Sequence, residues 1–276
     1  MATGAPWTAE ENAVIVRSYL DMLRQELAGI DYSKAEANRR VAQEIGRSRG
    51  SIEYKLQNVS WALFEVNHPF IDGYKPARNL QDALRQEVLH QLDLTDDLPD
   101  LVFRALQRNV EMPRVDLIWS ITGAPDIEYT SPTDKFVARR VDFVRIEAEN
   151  RRLGLAGEEA VLRRERAILR QNGCQKLADK VEHVSQTQGD GLGFDILSFD
   201  ERGEEKYIEV KTTRRGRHWP MLVTRNEVAF SQSEPERFRL YRVHDFRPDQ
   251  AGLYVLDGDV TKSCRLIPES YRALPA

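Results

Sequence analysis

The segment Gly193–Arg217 reads GFDILSFDERGEEKYIEVKTTRRGR. Asp195 opens one apolar run, and Glu209 and Lys211 close the next. Charged groups in strands are costly unless they are paired or hold a metal. Side chains alternate faces along a strand, so Glu209 and Lys211 share one face while Val210 points into the core. The intervening DERGEE, with Gly203, suits a hairpin and brings Asp195 about opposite the Glu209–Lys211 end. Two carboxylates and a lysine at neighbouring strand ends suit Mg²⁺, a hard cation that takes carboxylate and carbonyl oxygens and keeps several waters. Asp195, Glu209 and the Val210 carbonyl are the expected ligands, with Mn²⁺ as a substitute. The chemistry such a site supports is phosphodiester hydrolysis, with a metal-activated water and with Lys211 orienting that water or neutralising charge in the transition state. The competing reading is an exposed hairpin with an Asp cap and a Glu–Lys edge pair.

Strands are expected near 180–185, 193–200, 205–211 and 220–224, then a helix from Thr224, then strands in RFRLYRVHDF and GLYVLDG. Thr224 and Glu227 have capping-box spacing, which accounts for Glu227 without a catalytic role. Helical spacing fills KFVARRVDFVRIEAENRRLGLAGEEAVLRRERAILRQNG, with an expected break at RRLGLAG. The mixture predicts an α/β (α+β) fold. The bland role of Glu158 and Glu159 is to balance neighbouring arginines through i,i+4 pairs. Arg214, Arg215 and Arg217, with His218, leave the last charged strand at once and are candidate phosphate contacts. VSQTQGDGLG lacks the lysine and following helix of a phosphate loop and reads as a turn.

Ahead of these lies a helical region. Thr8 and Glu11 form a capping box before the stripe Val14, Ile15, Tyr19, Leu23 and Leu27, and Gly29 is the expected C-cap. Ser33 and Glu36 start a second helix that Gly46 ends. RSRGSIEYKLQNVSWALFEV carries Ile52, Leu56, Val59 and Leu63 at helical spacing. Two short helices, a turn and a polar third helix make a helix-turn-helix pattern. In a major groove the third helix would present Arg49, Ser51, Lys55, Gln57 and Asn58. Tyr54 and Trp61 are expected in the core. A further helix follows in GYKPARNLQDALRQEVLHQL. The expected organisation is a helical DNA-binding domain over residues 1–92, an irregular connection over 93–135 and a second domain over 136–276.

Bulk properties set the frame. The chain has 276 residues, 30% charged and 41% hydrophobic, with no run long enough for a membrane span. The first residues, MATGAPWTAEEN, lack an apolar signal core, which predicts a cytoplasmic protein. Two distant cysteines and five scattered histidines disfavour disulfides and zinc. Net charge is −4, so nucleic-acid binding must rest on local charge.

GFDI followed by EVK resembles the signature of the PD-(D/E)XK nuclease superfamily, with Phe194 where the leading proline would stand. RRLGLAGEEAVLRRER, VEHVSQTQGDGLGFDILSFD, YIEVKTT, VTRNEVAFS and RLYRVHDF together resemble the NOV C-terminal-type domain, over roughly residues 136–270. The N-terminal segments are similar to a helical module found ahead of nuclease domains in restriction-like proteins, and WTAEEN resembles the opening of Myb-type modules. The resemblance implies an α-β-β-β-α-β core with a mixed sheet, Asp195 and Glu209 as metal ligands and Lys211 as the catalytic lysine. It adds Glu158, in the first helix, as an acidic site residue. The implied function is a Mg²⁺-dependent endonuclease of restriction or genome-defence type, acting on double-stranded DNA as a homodimer. The alternative is a catalytically inactive DNA-binding or scaffold protein with the same fold.

Overall fold

The computed structural model describes residues 6–107, 117–125, 146, 150–189 and 191–268. They divide into two compact units, one holding residues 6–107 with 218–220, the other 117–124, 151–217 and 221–268.

The first unit is helical. Its elements are α1 (Ala9–Ala28), α2 (Lys34–Ile45), α3 (Arg49–Glu65), α4 (Asp82–Asp93) and α5 (Leu98–Gln107). The Thr8–Glu11 box forms reciprocally, and Gly29 and Gly46 close α1 and α2. The central helix is α1, which contacts each of the other four. Its stripe supplies fully buried Ile15, Tyr19 and Leu23, which share a core with Ile52, Leu56, Val59 and Leu63 of α3. Tyr19 meets its polar needs internally, bonding Ser60 Oγ at 2.7 Å and accepting the Ile71 N–H at 2.8 Å. Trp61 is buried as expected, whereas Tyr54 stands 48% exposed and is not core. The stretch expected to be irregular contains α5, whose second residue is Pro99, and whose Leu98 and Val102 are buried one turn apart. Proline fits the first turn of a helix because that N–H has no intrahelical partner. Residues 126–135 of the expected connection and the helix expected over 136–145 lie outside the described residues.

The second unit contains β1 (Ile118–Ile121), α6 (Arg151–Gln171), α7 (Gln175–Ala178), β2 (Glu182–His183), α8 (Val184–Thr187), β3 (Ile196–Phe199), β4 (Glu205–Thr212), α9 (Arg225–Ser233), β5 (Phe238–His244), β6 (Gln250–Asp257) and α10 (Val260–Ser263). Among the described residues the sheet has six strands in the order β1-β6-β5-β4-β3-β2. The pairs β2–β3, β3–β4 and β5–β6 are antiparallel, while β4–β5 and β1–β6 are parallel. A parallel neighbour needs a crossover, and α9 supplies it between β4 and β5.

Three expectations are corrected. The strand β1 was not anticipated. RRLGLAG is not itself the break: it forms the first turns of α6, through both glycines, and the non-helical residue is Asn150 just before it. Residues 220–224 form no strand: Pro220 offers no N–H to a ladder, and Met221 and Val223 pack as loop residues on Phe238, Leu240 and Val260.

Helix α6 lies on one face of the sheet, with Leu153, Ala156, Ala160 and Val161 against Ile196, Ile208, Val210 and Val243. That interface also buries Glu165, which is 1% exposed. Its carboxylate accepts from Ser198 Oγ at 2.8 Å and Tyr241 OH at 3.0 Å, and pairs with Lys206. The opposite face carries Glu209 and Lys211 and is covered at Phe238 and Leu240 by residues of α9, α10 and the loop before α9.

Candidate active site

The register Ile196↔Ile208 sets Asp195, one residue before β3, across from Glu209. The backbone continues that pairing, since Asp195 N–H donates to the Ile208 carbonyl at 2.9 Å. The Asp195 side chain turns to the same strand and accepts the Val210 N–H on Oδ2 at 2.8 Å. Val210 thus serves the site through its backbone while its side chain is buried against α6.

Glu209 is 4% exposed. Its Oε1 lies 2.7 Å from Lys211 Nζ, and the same Nζ lies 2.7 Å from Glu227 Oε2 on α9. Glu227 forms the anticipated capping box with Thr224 and also holds the lysine. Glu158 enters from α6. Its Oε2 lies 2.6 Å from His183 Nε2 and accepts from Ser185 Oγ at 2.9 Å. Ser185 also donates its N–H to the Asp195 carbonyl at 3.2 Å, tying Glu158 to the start of β3.

Two close approaches fix these elements. Gly157 precedes Glu158, and a Cβ there would sit 1.8 Å from Thr212 Oγ1, so only glycine lets α6 lie this close to the end of β4. Gly193, at φ +91°, brings the chain against α9, where a Cβ would meet Phe230 Cβ at 2.6 Å. Phe194 stacks into that contact, its ring centroid 4.8 Å from Tyr207 and 4.9 Å from Phe230. Aromatic packing occupies the position before Asp195 and anchors the helix that carries Glu227.

The electrostatics follow from crowding carboxylates in a poorly solvated place. Burial pushes the Asp195 carboxyl up to about 7, the Glu158 charge adds to this, and the Val210 N–H and Lys211 oppose it. Burial also raises Glu209 well above the ordinary carboxyl range, against the pull of Lys211. For Lys211, burial favours the neutral amine, but the Glu209 and Glu227 charges outweigh it and hold the ammonium protonated. Glu209 and Glu227 therefore flank the lysine, while the Glu158 charge bears on Asp195. Among the described residues no three His, Cys, Asp or Glu side chains are grouped as a ready metal cage. An ion here would rest on two carboxylates, backbone oxygen and water, a donor set that suits Mg²⁺.

Residues 157–256 match the family model described as Protein NO VEIN, C-terminal. The match starts on α6 beside Glu158 and ends in β6, so it encloses every residue of this cluster. No curated protein and no solved structure matches the chain significantly.

Of the expected site residues, Asp195, Glu209, Lys211 and Glu158 are brought together. Arg214, Arg215 and Arg217 follow β4 in a half-buried turn. That turn is pinned by the Arg215 N–H to Thr213 Oγ1 at 3.0 Å and by the Asp245 N–H to the Arg215 carbonyl at 2.8 Å. Arg217 Nη1 reaches the Gly123 carbonyl at 3.5 Å. On α3, Arg49 is exposed and Ser51 and Gln57 are half-buried. Lys55 and Asn58 are corrected: both are buried, at 4% and 3% exposure. Lys55 donates to Gln81 Oε1 at 2.9 Å over the Trp7 ring, and Asn58 donates to the Ala77 carbonyl at 2.6 Å. Their polar atoms tie α3 to its own unit and do not face a groove. The sequence reading missed Glu227, His183 and Ser185. Glu227 was hidden because its cap role already explained its residue type, and VEHVS carries no spacing that marks a ligand.

Proposed function

We propose that the chain is a Mg²⁺-dependent DNA endonuclease of restriction or genome-defence type. In this reading the second unit is a PD-(D/E)XK-like α-β-β-β-α-β nuclease domain, and the helical unit engages double-stranded DNA in helix-turn-helix fashion. The observation that carries it is the meeting of Asp195, Glu209 and Lys211 at adjoining strand ends, with Glu158 beside Asp195. The donor set fits the ion: Asp195, Glu209 and the Val210 carbonyl supply hard oxygens, and the surplus negative charge is what a divalent cation offsets. Bound there, Mg²⁺ supplies a polarised phosphodiester and an activated water.

The chain's own groups do the rest. The Val210 N–H fixes the orientation of Asp195. Lys211 holds a protonated ammonium where charge develops on the phosphate and where an attacking water must be oriented. Glu158 is steadied by His183 and Ser185. Arg214, Arg215 and Arg217 supply phosphate contacts beside the site. One site cuts one strand, so a duplex cut takes two copies or two events, and a homodimer on DNA is the expected arrangement. A cytoplasmic location follows from this role, and no helix among the described residues is long and apolar enough to cross a membrane.

The test is plasmid nicking in Mg²⁺ or Mn²⁺ by wild type, Asp195→Ala and Lys211→Ala. Cleavage by wild type and a loss of about 100-fold or more in each variant is expected. DNA binding without any cleavage by wild type would leave the alternative, a non-catalytic DNA-binding or scaffold protein. The observation favouring that alternative is the tight Glu209–Lys211–Glu227 arrangement, which also serves as a structural ion pair.

A further inference from the structure

Lys211 is shared equally between two carboxylates, at 2.7 Å from Glu209 Oε1 and 2.7 Å from Glu227 Oε2. They differ in how they are held. Glu209 lies on the strand beside Asp195 and is the oxygen donor that the metal reading needs. Glu227 is fixed from behind, because its Oε2 also accepts the Thr224 N–H at 3.1 Å in the capping box of α9. That helix is seated on Tyr207 through Phe230, with ring centroids 5.2 Å apart. Ammonium and divalent cation compete for the Glu209 carboxylate. A largely buried lysine that lost its only counter-charge to an incoming ion would be strongly disfavoured.

We propose that Glu227 is a positioning residue for Lys211: it is the counter-ion that keeps the ammonium in the site while a divalent cation takes Glu209. The proposal rests on the metal-site reading above. The site then exchanges partners without stranding a charge. Glu209 would pass from lysine to metal, and Lys211 would stay paired with Glu227 of α9, beside the place where a phosphate would react. The backbone N–H of Thr224, which donates to Glu227 Oε2, gives that side chain the fixed position this requires.

Glu227→Gln separates the two roles, since glutamine serves in a capping box as glutamate does. The measurement is Mn²⁺ and Ca²⁺ binding to the full chain by calorimetry, for wild type, Glu227→Gln, Lys211→Met and the double variant. Glu227→Gln is expected to weaken Mn²⁺ binding by about tenfold, as for directly coupled groups. In the Lys211→Met background the same change should lose most of its effect. Thr224→Ala should lower the thermal midpoint while leaving Mn²⁺ affinity within about twofold. Equal weakening by Glu227→Gln in both backgrounds would make Glu227 a direct ligand or a distant charge and overturn the proposal, as would no weakening at all. Wild type that binds neither ion would sink the metal-site reading itself, and this inference with it. The first two outcomes leave the metal site standing, so the two failures are distinguishable.

Discussion

Asp195 concentrates the electrostatic cost of the site. Its carboxyl is pushed from an ordinary 3.8 up to about 7, by burial first and by the Glu158 charge second. Between about pH 4 and about pH 7 the folded chain therefore keeps a proton that the unfolded chain has released, and stability falls as pH rises through that window. Above it the carboxylate is charged and the penalty is complete, amounting to a few kcal/mol at about 1.4 kcal/mol per unit. Glu209 adds a slope of the same sign. Asp195→Asn is accordingly expected to be more stable than wild type at pH 8 and to depend less on pH between 4 and 7, by urea unfolding in chelator. A variant with the wild-type slope would show that this carboxyl is not the strained group. On the proposed metal-site reading a divalent cation would relieve the same penalty, so a thermal shift by Mn²⁺, reversed by a chelator, is expected to grow from pH 5.5 to pH 8.

At the scale of elements, two glycines of α6 should respond oppositely to the same change. Gly154 has room: an added Cβ comes within 3.7 Å of Glu158 Oε1, an ordinary contact. Gly154→Ala is expected to stabilise the unit by about 0.5–1 kcal/mol through helix propensity. Gly157 has none, since a Cβ would lie 1.8 Å from Thr212 Oγ1 and 2.8 Å from Thr212 Cβ. Gly157→Ala should destabilise by about 1–3 kcal/mol, as overpacking does, and should push Glu158 away from Asp195. Denaturant midpoints of the two variants check this, and midpoints that move together would mean that α6 does not pack as described. These glycines also show why the sequence was only partly legible. Composition reads RRLGLAG as a break, whereas the helix starts there, directly after the non-helical Asn150, and one glycine serves the close approach to β4. The long amphipathic helices were readable because each stripe repeats over several turns, as Ile52, Leu56, Val59 and Leu63 do. The pairing of Asp195 with the Glu209–Lys211 end was readable from alternation and one turn. The four-residue β1 was not, since so short a run among prolines and glycine carries little periodicity, and its partner Gln250–Leu253 lies far along the chain. Contacts such as Lys211 with Glu227 depend on where α9 docks, which aromatic packing decides rather than local spacing.

Over the whole molecule, a net charge of −4 means that the proposed DNA binding must rest on local basic surface. The helical unit divides its basic residues between surface and interior. Arg49 stands exposed at the start of α3, where a helix inserted into a groove makes its contacts. Lys55, on the same helix, is committed to Gln81 and to the Trp7 ring, which Arg47 also covers at 4.7 Å. Burial first, and the Arg47 charge next, lower the Lys55 ammonium to about 8. A buried amine engaged by Gln81 and the Trp7 ring is not presented to a phosphate backbone, so its contribution is to folding. Two substitutions on one helix should therefore separate cleanly. Arg49→Ala is expected to weaken binding of duplex DNA and to reduce the salt slope by about one, with unfolding unchanged. Lys55→Ala is expected to lower stability by about 1–3 kcal/mol through the lost hydrogen bond and packing, while the folded fraction binds DNA with the wild-type salt slope. Fluorescence anisotropy across a salt series, paired with urea unfolding, reads both quantities. If Arg49→Ala binds as wild type does at every salt concentration, α3 does not face the duplex and the proposed role of the helical unit in DNA recognition fails.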